Sequence, residues 1–273
     1  METLHTEMDI NVQTGKRSLQ SLGEKVIGSG VVTWIIFLLI WEFTSSFYPD
    51  TFFPGPLQTL VGGFEVIQKG TLFEYIKISS YRVFVGWFIG FLLAVPVGIL
   101  IGRIRLLRGL VEPFVNFFRF VPAISFLTLF LMWFGVGEES KIILIAYSTW
   151  FIVLINTMSG MEHISATKID AARSLGAGEG QILYSIILPS EIPYIFTGAR
   201  LGLGSAFTSI VTAEMLAAKS GVGYMIYTSR LYFRIDWIFI GIVTLGLMGY
   251  LSDRLIRALG VRFLKRFGVT STN

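Results

Sequence analysis

Apolar residues fall into long, unbroken blocks along this chain, and short polar segments separate the blocks. The blocks are continuous rather than alternating, which is typical of helices and not of strands. Only helices and closed barrels cross lipid, because nothing there pairs with free backbone groups. A crossing helix needs about 20 apolar residues. The pattern therefore predicts six membrane-spanning helices, at residues 27–47, 79–102, 113–134, 141–160, 192–216 and 236–257.

A polar segment at residues 161–190 lies between the fourth and fifth predicted spans and has a helical pattern of its own. Thr167 can cap a helix there, with Asp170 three residues later closing a capping box or favouring the positive helix end. Two alanines follow, which are strong helix formers and small enough for close approach of another protein. Gly176 fits a helix end where φ turns positive. The pattern predicts a short helix along the membrane surface.

The second part of this segment joins the short helix to the fifth span. Residues Glu179–Ile187 are a further predicted helical piece, and four of its side chains are expected to face lipid or neighbouring spans: Ile182, Leu183, Ile186 and Ile187. Pro189 and Pro193 are expected to break the backbone just before the span begins. A push on the short helix would then reach the span. An ordinary amphipathic connector is the alternative interpretation.

Two further segments lie outside the predicted spans. After a turn at Phe53-Pro54-Gly55-Pro56, a helix is predicted along the outer membrane interface, because five apolar residues recur at helical spacing: Leu57, Leu60, Val61, Phe64 and Ile67. Residues 219–236 hold several aromatic side chains, which is typical of an aromatic belt at the headgroups. A docking surface for an external partner is the alternative, and the sequence does not separate the two.

Composition and charge agree with a membrane protein. Hydrophobic residues make up 53% of the 273 residues and charged residues 15%, and the mean hydropathy is +0.69. Lysine and arginine are richer on the side that holds both termini and residues 161–190, which predicts that this side is cytoplasmic. The pI of about 9.3 then follows from topology, so no nucleic-acid partner is expected. The absence of cysteine excludes disulfides and thiolate metal sites.

Ionisable residues inside membrane spans are costly, so each is a candidate functional position. Arg82 lies near the outer end of the second span, where its side chain is expected to reach the interface. Arg119 and Arg200 lie in the inner halves of their spans, and Glu214 lies toward the outer end of the fifth. These last three are candidate pathway residues. For the two arginines, the alternative is a packing role, paired with an intramembrane carboxylate or with helix-end carbonyls.

Glycines recur within two of the predicted spans. Because small residues let helix backbones approach closely in lipid, we expect these positions to be packing contacts. They are Gly86, Gly90 and Gly98 in the second span and Gly198, Gly202 and Gly204 in the fifth.

Catalytic motifs are missing from the sequence. No segment matches the phosphate-binding loop G-x-x-x-x-G-K-[ST], and neither H-E-x-x-H nor G-x-S-x-G occurs. The two histidines, His5 and His163, are not placed to activate a nucleophile buried in the spans. We therefore expect no catalytic, cofactor-binding or metal-binding residues in this chain. An intramembrane enzyme and an ATP-independent carrier are the alternative functions, although no internal repeat of the kind found in many carriers is visible.

The polar segment at residues 161–190 resembles the cytoplasmic loop of ABC-importer permeases, whose pattern is E-A-A-x-x-x-G-x9-I-x-L-P. It carries Asp170-Ala171-Ala172, Gly176 and Ile186-Ile187-Leu188-Pro189 at the same offsets, with Asp170 in place of glutamate. The resemblance implies that cytoplasmic ATP-binding subunits grip this loop. The residues implied to couple the chain to those subunits are Asp170, Ala171, Ala172, Arg173, Leu175, Gly176, Ala177, Leu188 and Pro189.

Five more segments resemble motifs of the nitrate, sulfonate, taurine and bicarbonate permease family. They are Phe53–Pro56 (L-P-x-P), Ser79–Arg82 with Gly86 (S-x-x-R-x-x-x-G), Arg119–Pro122 (R-P-V-P, with Phe120 replacing the first proline), Trp133–Lys141 (W-F-G-x-G-E-x-S-K) and Ala213-Glu214 followed by Gly221–Gly223 (A-E…G-[LI]-G). Together they cover about residues 50–260, nearly all of the predicted membrane part.

This resemblance implies an all-α integral membrane protein with the type I importer fold, about six transmembrane helices and a cytoplasmic coupling helix. The implied layout is a cytoplasmic tail at 1–25, a permease domain at 26–260 and a cytoplasmic tail at 261–273. Two copies would pair in the bacterial inner membrane, and two ATP-binding subunits would carry ATP and magnesium. A periplasmic or lipid-anchored binding protein would deliver a small anion or zwitterion such as a sulfonate, nitrate or taurine. The same family also includes permeases for neutral heterocycles, which is the alternative class of substrate.

Overall fold

The fold is built of helices. A computed structural model describes residues 30–264, and no β-strand occurs in that range. In chain order the helices are α1 (Val31–Ser45), α2 (Pro56–Gln68), α3 (Thr71–Arg103), α4 (Arg105–Phe118), α5 (Ile124–Phe134), α6 (Glu138–Glu162), α7 (Ala166–Ser174), α8 (Glu179–Ile182), a π-helical turn (Leu183–Ile187), α9 (Leu188–Ala217), α10 (Val222–Leu231) and α11 (Ile235–Leu264).

Four of the helical segments between residues 30 and 264 are long and apolar enough to cross a membrane: Thr71–Arg103, Glu138–Glu162, Glu179–Ala217 and Ile235–Gly260. They confirm the second, fourth, fifth and sixth predicted spans. Helices α1 and α5 are apolar but shorter. The first predicted span corresponds to α1, and its residues 27–29 lie outside the described range.

The third predicted span, 113–134, is wrong as a single helix. Helix α4 ends at Phe118 and α5 begins at Ile124, so residues 119–123 interrupt the predicted span. The last turn tightens, since the amides of Phe120 and Val121 donate to carbonyls only three residues back. Pro122 then prevents the chain from continuing as a helix, because it has no N–H to donate and restricts the backbone of the residue before it.

The predicted backbone break at Pro189 and Pro193 is also wrong. A helix runs from Glu179 to Ala217, so Pro189 and Pro193 lie within it and not at a break. The π-helical turn Leu183–Ile187 directly precedes α9. This wider turn contains Ser185, whose carbonyl would otherwise meet the Pro189 ring in an α-helix. The second part of the polar segment, from Glu179 onward, and the span are therefore one continuous helix.

Helix α6 lies between α3 and α9, and glycines make the close contacts on both sides. A Cβ atom at Gly86, Gly90 or Gly98 of α3 would meet atoms of α6, and the same holds for Gly198 and Gly202 of α9. These five predicted packing positions are confirmed. Gly204 faces open space instead, so its prediction as a packing contact is wrong.

Helix α2 confirms the helix predicted after the Phe53–Pro56 turn. It packs on α11 through Gly62 and Gly63, where an added Cβ would meet Asp236 and Ile240. The five apolar side chains that predicted the helix are all exposed on its other face: Leu57, Leu60, Val61, Phe64 and Ile67.

Candidate functional site

The first part of the 161–190 segment is a short helix with defined ends. Its N-cap is Ser165, whose backbone is extended, so Thr167 and Asp170 lie inside the helix and the predicted capping box is wrong. At the other end Gly176 has φ +84°, as predicted. The amide of Gly176 donates to the Arg173 carbonyl at 2.9 Å and that of Ala177 to Ala172 at 3.0 Å. This is a Schellman ending, which fixes the direction of the chain after α7.

The surface of α7 is open. None of its residues is buried, and Leu175, which follows it, is 89% exposed. Asp170, Ala171 and Arg173 are exposed as well. The rest of the described chain therefore leaves this surface uncovered.

The second part of the segment is anchored to the helical core. Ile182 and Ile187 are buried, and Leu188 and Pro189 are half-buried. Glu179 pairs with Arg173 at 3.1 Å and also with Arg103 at the end of α3. The open helix is therefore linked by the Arg173–Glu179 ion pair to the start of the long helix, and Glu179 also ties that start to α3.

A cluster of charges joins α3, α6 and α9 on the side of the protein away from the 161–190 segment. Glu138 lies at the start of α6 and Glu214 near the end of α9. Arg82 is 2% exposed and Glu214 is fully buried. The Arg82 guanidinium donates to Glu214 at 2.7 Å and to both carboxylate oxygens of Glu138, at 2.5 and 2.7 Å. The prediction that Arg82 reaches the membrane interface is wrong, because its side chain is buried and its charge is compensated by the buried Glu214 and the half-exposed Glu138.

The remaining polar atoms around Glu214 are also paired. Ser79 donates to Glu214 at 2.8 Å and accepts from the Val222 amide at 2.9 Å. The Gly223 amide donates to the other carboxylate oxygen at 2.8 Å. Gly221 has φ +115°, and a Cβ atom there would collide with the Glu214 carboxylate. The S-x-x-R, G-E-x-S-K and A-E…G-x-G motifs thus meet at one point.

Arg200, the arginine within the fifth span, is paired as well. Arg200 makes two hydrogen bonds to the Asp253 carboxylate of α11, at 2.8 and 3.1 Å. Both side chains are about a third exposed, at 31% and 32%. This geometry corresponds to the packing alternative of the sequence analysis, in which the arginine meets an intramembrane carboxylate.

Arg119 is placed differently, at a cavity beside the break between α4 and α5. The cavity has a volume of about 350 Å³, and its walls come from residues 118–124, α6 and α9. Non-helical backbone is tolerated at membrane depth where it lines such a space. The lining residues are Phe118, Arg119, Val121, Pro122, Ala123, Ile124, Leu144, Tyr147, Ser148, Phe151, Ile152, Ser205, Thr208, Ser209 and Thr212. Arg200 and Glu214 do not line it.

The hydroxyl-bearing wall of this cavity was missed in the sequence. Serine and threonine recur on α9 at positions 205, 208, 209 and 212, a spacing that keeps them on one helix face. That spacing is the signal that could have revealed the wall. No group of three or more histidine, aspartate or glutamate side chains between residues 30 and 264 is arranged to hold a metal ion.

Known proteins resemble this chain over most of its length. Residues 94–265 match the family of binding-protein-dependent transport system inner membrane components. A probable ABC transporter permease protein of Brucella melitensis is 38% identical over 75% of this chain and 83% of its own length. The taurine transport system permease protein TauC of Escherichia coli is 32% identical, over 83% and 85%. The nitrate import permease protein NrtB of Synechocystis is 29% identical, over 85% and 87%.

The fold has a counterpart among solved structures. A chain of the MetNI methionine ABC transporter, solved in inward-facing conformations, superposes with a TM-score of 0.58 and 22% identity, over 69% of this chain and 95% of that one. The predicted type I importer fold is confirmed. The family match covers more than half of the chain and does not fit an intramembrane enzyme or an ATP-independent carrier. The chain belongs to the binding-protein-dependent inner membrane transport components, and it is the permease subunit of an ABC importer.

Proposed function

We propose that two copies of this chain form the pathway of a small-anion importer in the bacterial inner membrane, with two cytoplasmic ATP-binding subunits docked on α7. The observation that carries this proposal is the form of the 161–190 segment. It has an open helix, a fixed turn at Gly176 and a continuous connection to a membrane-spanning helix.

The coupling residues divide into two groups by exposure. Asp170, Ala171, Arg173, Leu175 and Gly176 are exposed and would contact the ATP-binding subunit. The others are half-buried and would pass its movement to the core: Ala172, Ala177, Leu188 and Pro189. The turn at Gly176 and the Arg173–Glu179 ion pair tie α7 to the helix that begins at Glu179 and continues into α9. A displacement of α7 would therefore be passed to α9.

The orientation follows from charge. Arginine and lysine are concentrated at the ends of α3 and α11 and in the 161–190 segment, all on one side of the predicted spans. Cytoplasmic flanks carry such an excess. We therefore assign both termini and α7 to the cytoplasm, and α2 and α10 to the outer face, where a periplasmic or lipid-anchored binding protein would dock.

The stoichiometry follows from the single coupling segment. The chain supplies one such segment, and two ATP-binding subunits need two docking sites, so we propose that a second copy of this chain supplies the other site. The mass of the detergent-extracted complex, measured by native mass spectrometry, should equal two permease and two ATP-binding subunits. One permease copy, or a different permease as partner, would contradict the homodimer.

The substrate assignment rests on the relatives. The taurine permease of Escherichia coli and the nitrate permease of Synechocystis each match more than four fifths of this chain. Taurine and nitrate both carry a small oxyanion group, and we assign that class to this permease. ATP and magnesium would be held by the partner subunits.

Gly176 offers a direct test of coupling. The Gly176→Val variant should assemble but lose uptake, because valine at positive φ would undo the Schellman ending. The control is Gly178→Val, since both glycines face open space but Gly178 has an ordinary φ of −72°. Uptake and ATP hydrolysis would be measured in proteoliposomes with both partners present. If Gly176→Val still hydrolysed ATP in step with transport, α7 would not be the coupling element.

A further inference from the structure

We infer that the Arg119 cavity is the site at which the permease holds a small oxyanion, of the sulfonate or nitrate type, during its passage through the membrane. This inference rests on the proposed function, because it takes an anion as the cargo. It adds the place and the side chains that would select it.

The cavity lies in the middle of the spanning helices. Ser148 is 10 residues from the start of α6 and 14 from its end, which at ~1.5 Å per residue is roughly 15 Å and 21 Å along the helix. The break between α4 and α5 forms another wall at this depth. A discontinuous helix at the midplane is the arrangement by which transport proteins expose polar backbone to a substrate.

The charge of the cavity favours an anion. Arg119 is the one basic residue among those that line the cavity, and none of the lining residues is an aspartate or glutamate. Arg82 and Arg200 are held by carboxylates, whereas no ion pair between residues 30 and 264 involves Arg119; its guanidinium instead lies over the Phe120 ring, 4.7 Å from the centroid. A guanidinium that keeps its N–H donors available matches a planar or tetrahedral oxyanion.

The neighbouring groups add hydrogen-bond donors. The Tyr147 hydroxyl is buried and has no partner among residues 30–264, although buried hydroxyls are normally paired. Its ring is fixed between Phe126 at 4.7 Å and Phe151 at 5.1 Å. Ala123 and Ile124 also line the cavity at the start of α5, where the end of the helix carries a partial positive charge.

The shape of the cavity fits a small molecule with one polar end. Its volume of about 350 Å³ lies at the lower end of the range for small-molecule sites. Ser209 and Thr212 add hydroxyls on the α9 wall, while Phe118 and Ile152 are apolar. An oxyanion would meet Arg119 and the hydroxyls, and a short hydrocarbon part would lie on the apolar side.

The test uses the complete complex with its binding protein in proteoliposomes. Uptake of taurine, ethanesulfonate, nitrate and a neutral pyrimidine is first measured with the unchanged chain, which shows whether a molecule with an oxyanion group is carried at all. Transport of the pyrimidine alone would refute the anion assignment itself, and this inference with it. If the unchanged chain transports a compound with an oxyanion group, residues of the cavity are substituted in a second stage. A change in uptake then reports on the cavity and not on the class of substrate.

In the second stage Arg119→Gln should lower anion uptake at least tenfold, and Arg119→Lys should restore part of it. Tyr147→Phe should raise the KM for the anion several-fold. ATP hydrolysis stimulated by the binding protein should stay within about twofold of the unchanged complex. The control is Arg105→Gln, which removes an exposed arginine from the other end of α4 and should leave uptake unchanged.

Two results would overturn the inference while the proposed function stands. One is anion uptake by Arg119→Gln and Tyr147→Phe equal to that of the unchanged complex. The other is failure of both Arg119 variants to assemble, together with an unchanged KM in Tyr147→Phe, which would assign Arg119 a structural role.

Discussion

The buried charge cluster and the Arg119 cavity both place an arginine among apolar helices, yet the two regions differ in what meets it. Arg82 is 2% exposed and is bound by two carboxylates. Arg119 is exposed, faces a cavity and lies against an aromatic ring. A charge with all its partners inside the protein ties helices together, whereas a charge without a carboxylate is available to a ligand.

The polar neighbours of the two regions differ in the same way. Around Glu214 both carboxylate oxygens accept hydrogen bonds, from Ser79, Arg82 and the Gly223 amide. In the cavity the Tyr147 hydroxyl has no partner among the described residues. The first region is complete within one chain, and the second is completed by something that enters it.

The largest expected effect comes from breaking the closed region. Arg82→Leu would leave the fully buried Glu214 without its opposite charge, which typically costs about 3–5 kcal/mol. We expect a marked loss of folded protein and a lower Tm, measured on the detergent-purified chain by fluorescence-detected size exclusion. Arg119→Leu is the matched comparison and should leave the Tm near its original value. Equal melting of the two variants would contradict the distinction between the regions.

A backbone substitution tests the same cluster without removing a charge. Gly221→Ala places a Cβ against the Glu214 carboxylate at a residue with φ +115°, so a loss of about 2 kcal/mol is expected from strain and displaced hydrogen bonds. Gly204→Ala in α9 is the control, because it faces open space and alanine favours a helix. The Tm of the second variant should be unchanged or higher. A Tm that did not fall in Gly221→Ala would show that the cluster adapts.

The Arg200–Asp253 pair should lie between the two regions in its effect. It has good two-point geometry but is about a third exposed on each side, so water screens it and its coupling energy should be about 1 kcal/mol. A double-mutant cycle of Arg200→Gln and Asp253→Asn, read from thermal unfolding, measures that value. A coupling energy near zero, or one as large as the loss expected for Arg82→Leu, would contradict the intermediate strength of this pair.

The smallest effect is expected for Glu65 of α2, whose partly exposed carboxylate pairs with Lys69 and Arg234. Hydrogen bonds from Arg234 and Lys69 lower the pKa of Glu65 from its ordinary 4.5 to about 2. Because the pKa is lower in the folded chain, the stabilisation is complete above about pH 4.5 and is lost as the pH falls toward 2. The Tm difference between the unchanged chain and Glu65→Gln should be small and should vanish across that interval. A difference that grew with acid would reverse the sign of this argument.

Local features of the 161–190 segment were predictable because their causes lie within a few residues. Gly176 adopts the positive φ that its position after an alanine-rich helix required, and the helical piece Glu179–Ile187 is present. The capping box at Thr167 was wrong because Ser165, two residues earlier, has the extended backbone that an N-cap needs. An N-cap is distinguished from its neighbours by its backbone dihedral angles, so two nearby serine or threonine residues are hard to tell apart as N-caps from the sequence.

By itself the sequence determined the apolar blocks that become helices, the glycines that let α3 and α9 approach α6, and the turn at Gly176, since hydrophobic transfer and local backbone sterics act on nearby residues. Only the tertiary structure decided what each intramembrane charge meets. Arg82 and Glu214 are 132 residues apart and hydrogen-bonded, while Arg119 meets a cavity. The energy of a charge in a low-dielectric interior depends on the distance to its partner in space, which the order of residues does not contain.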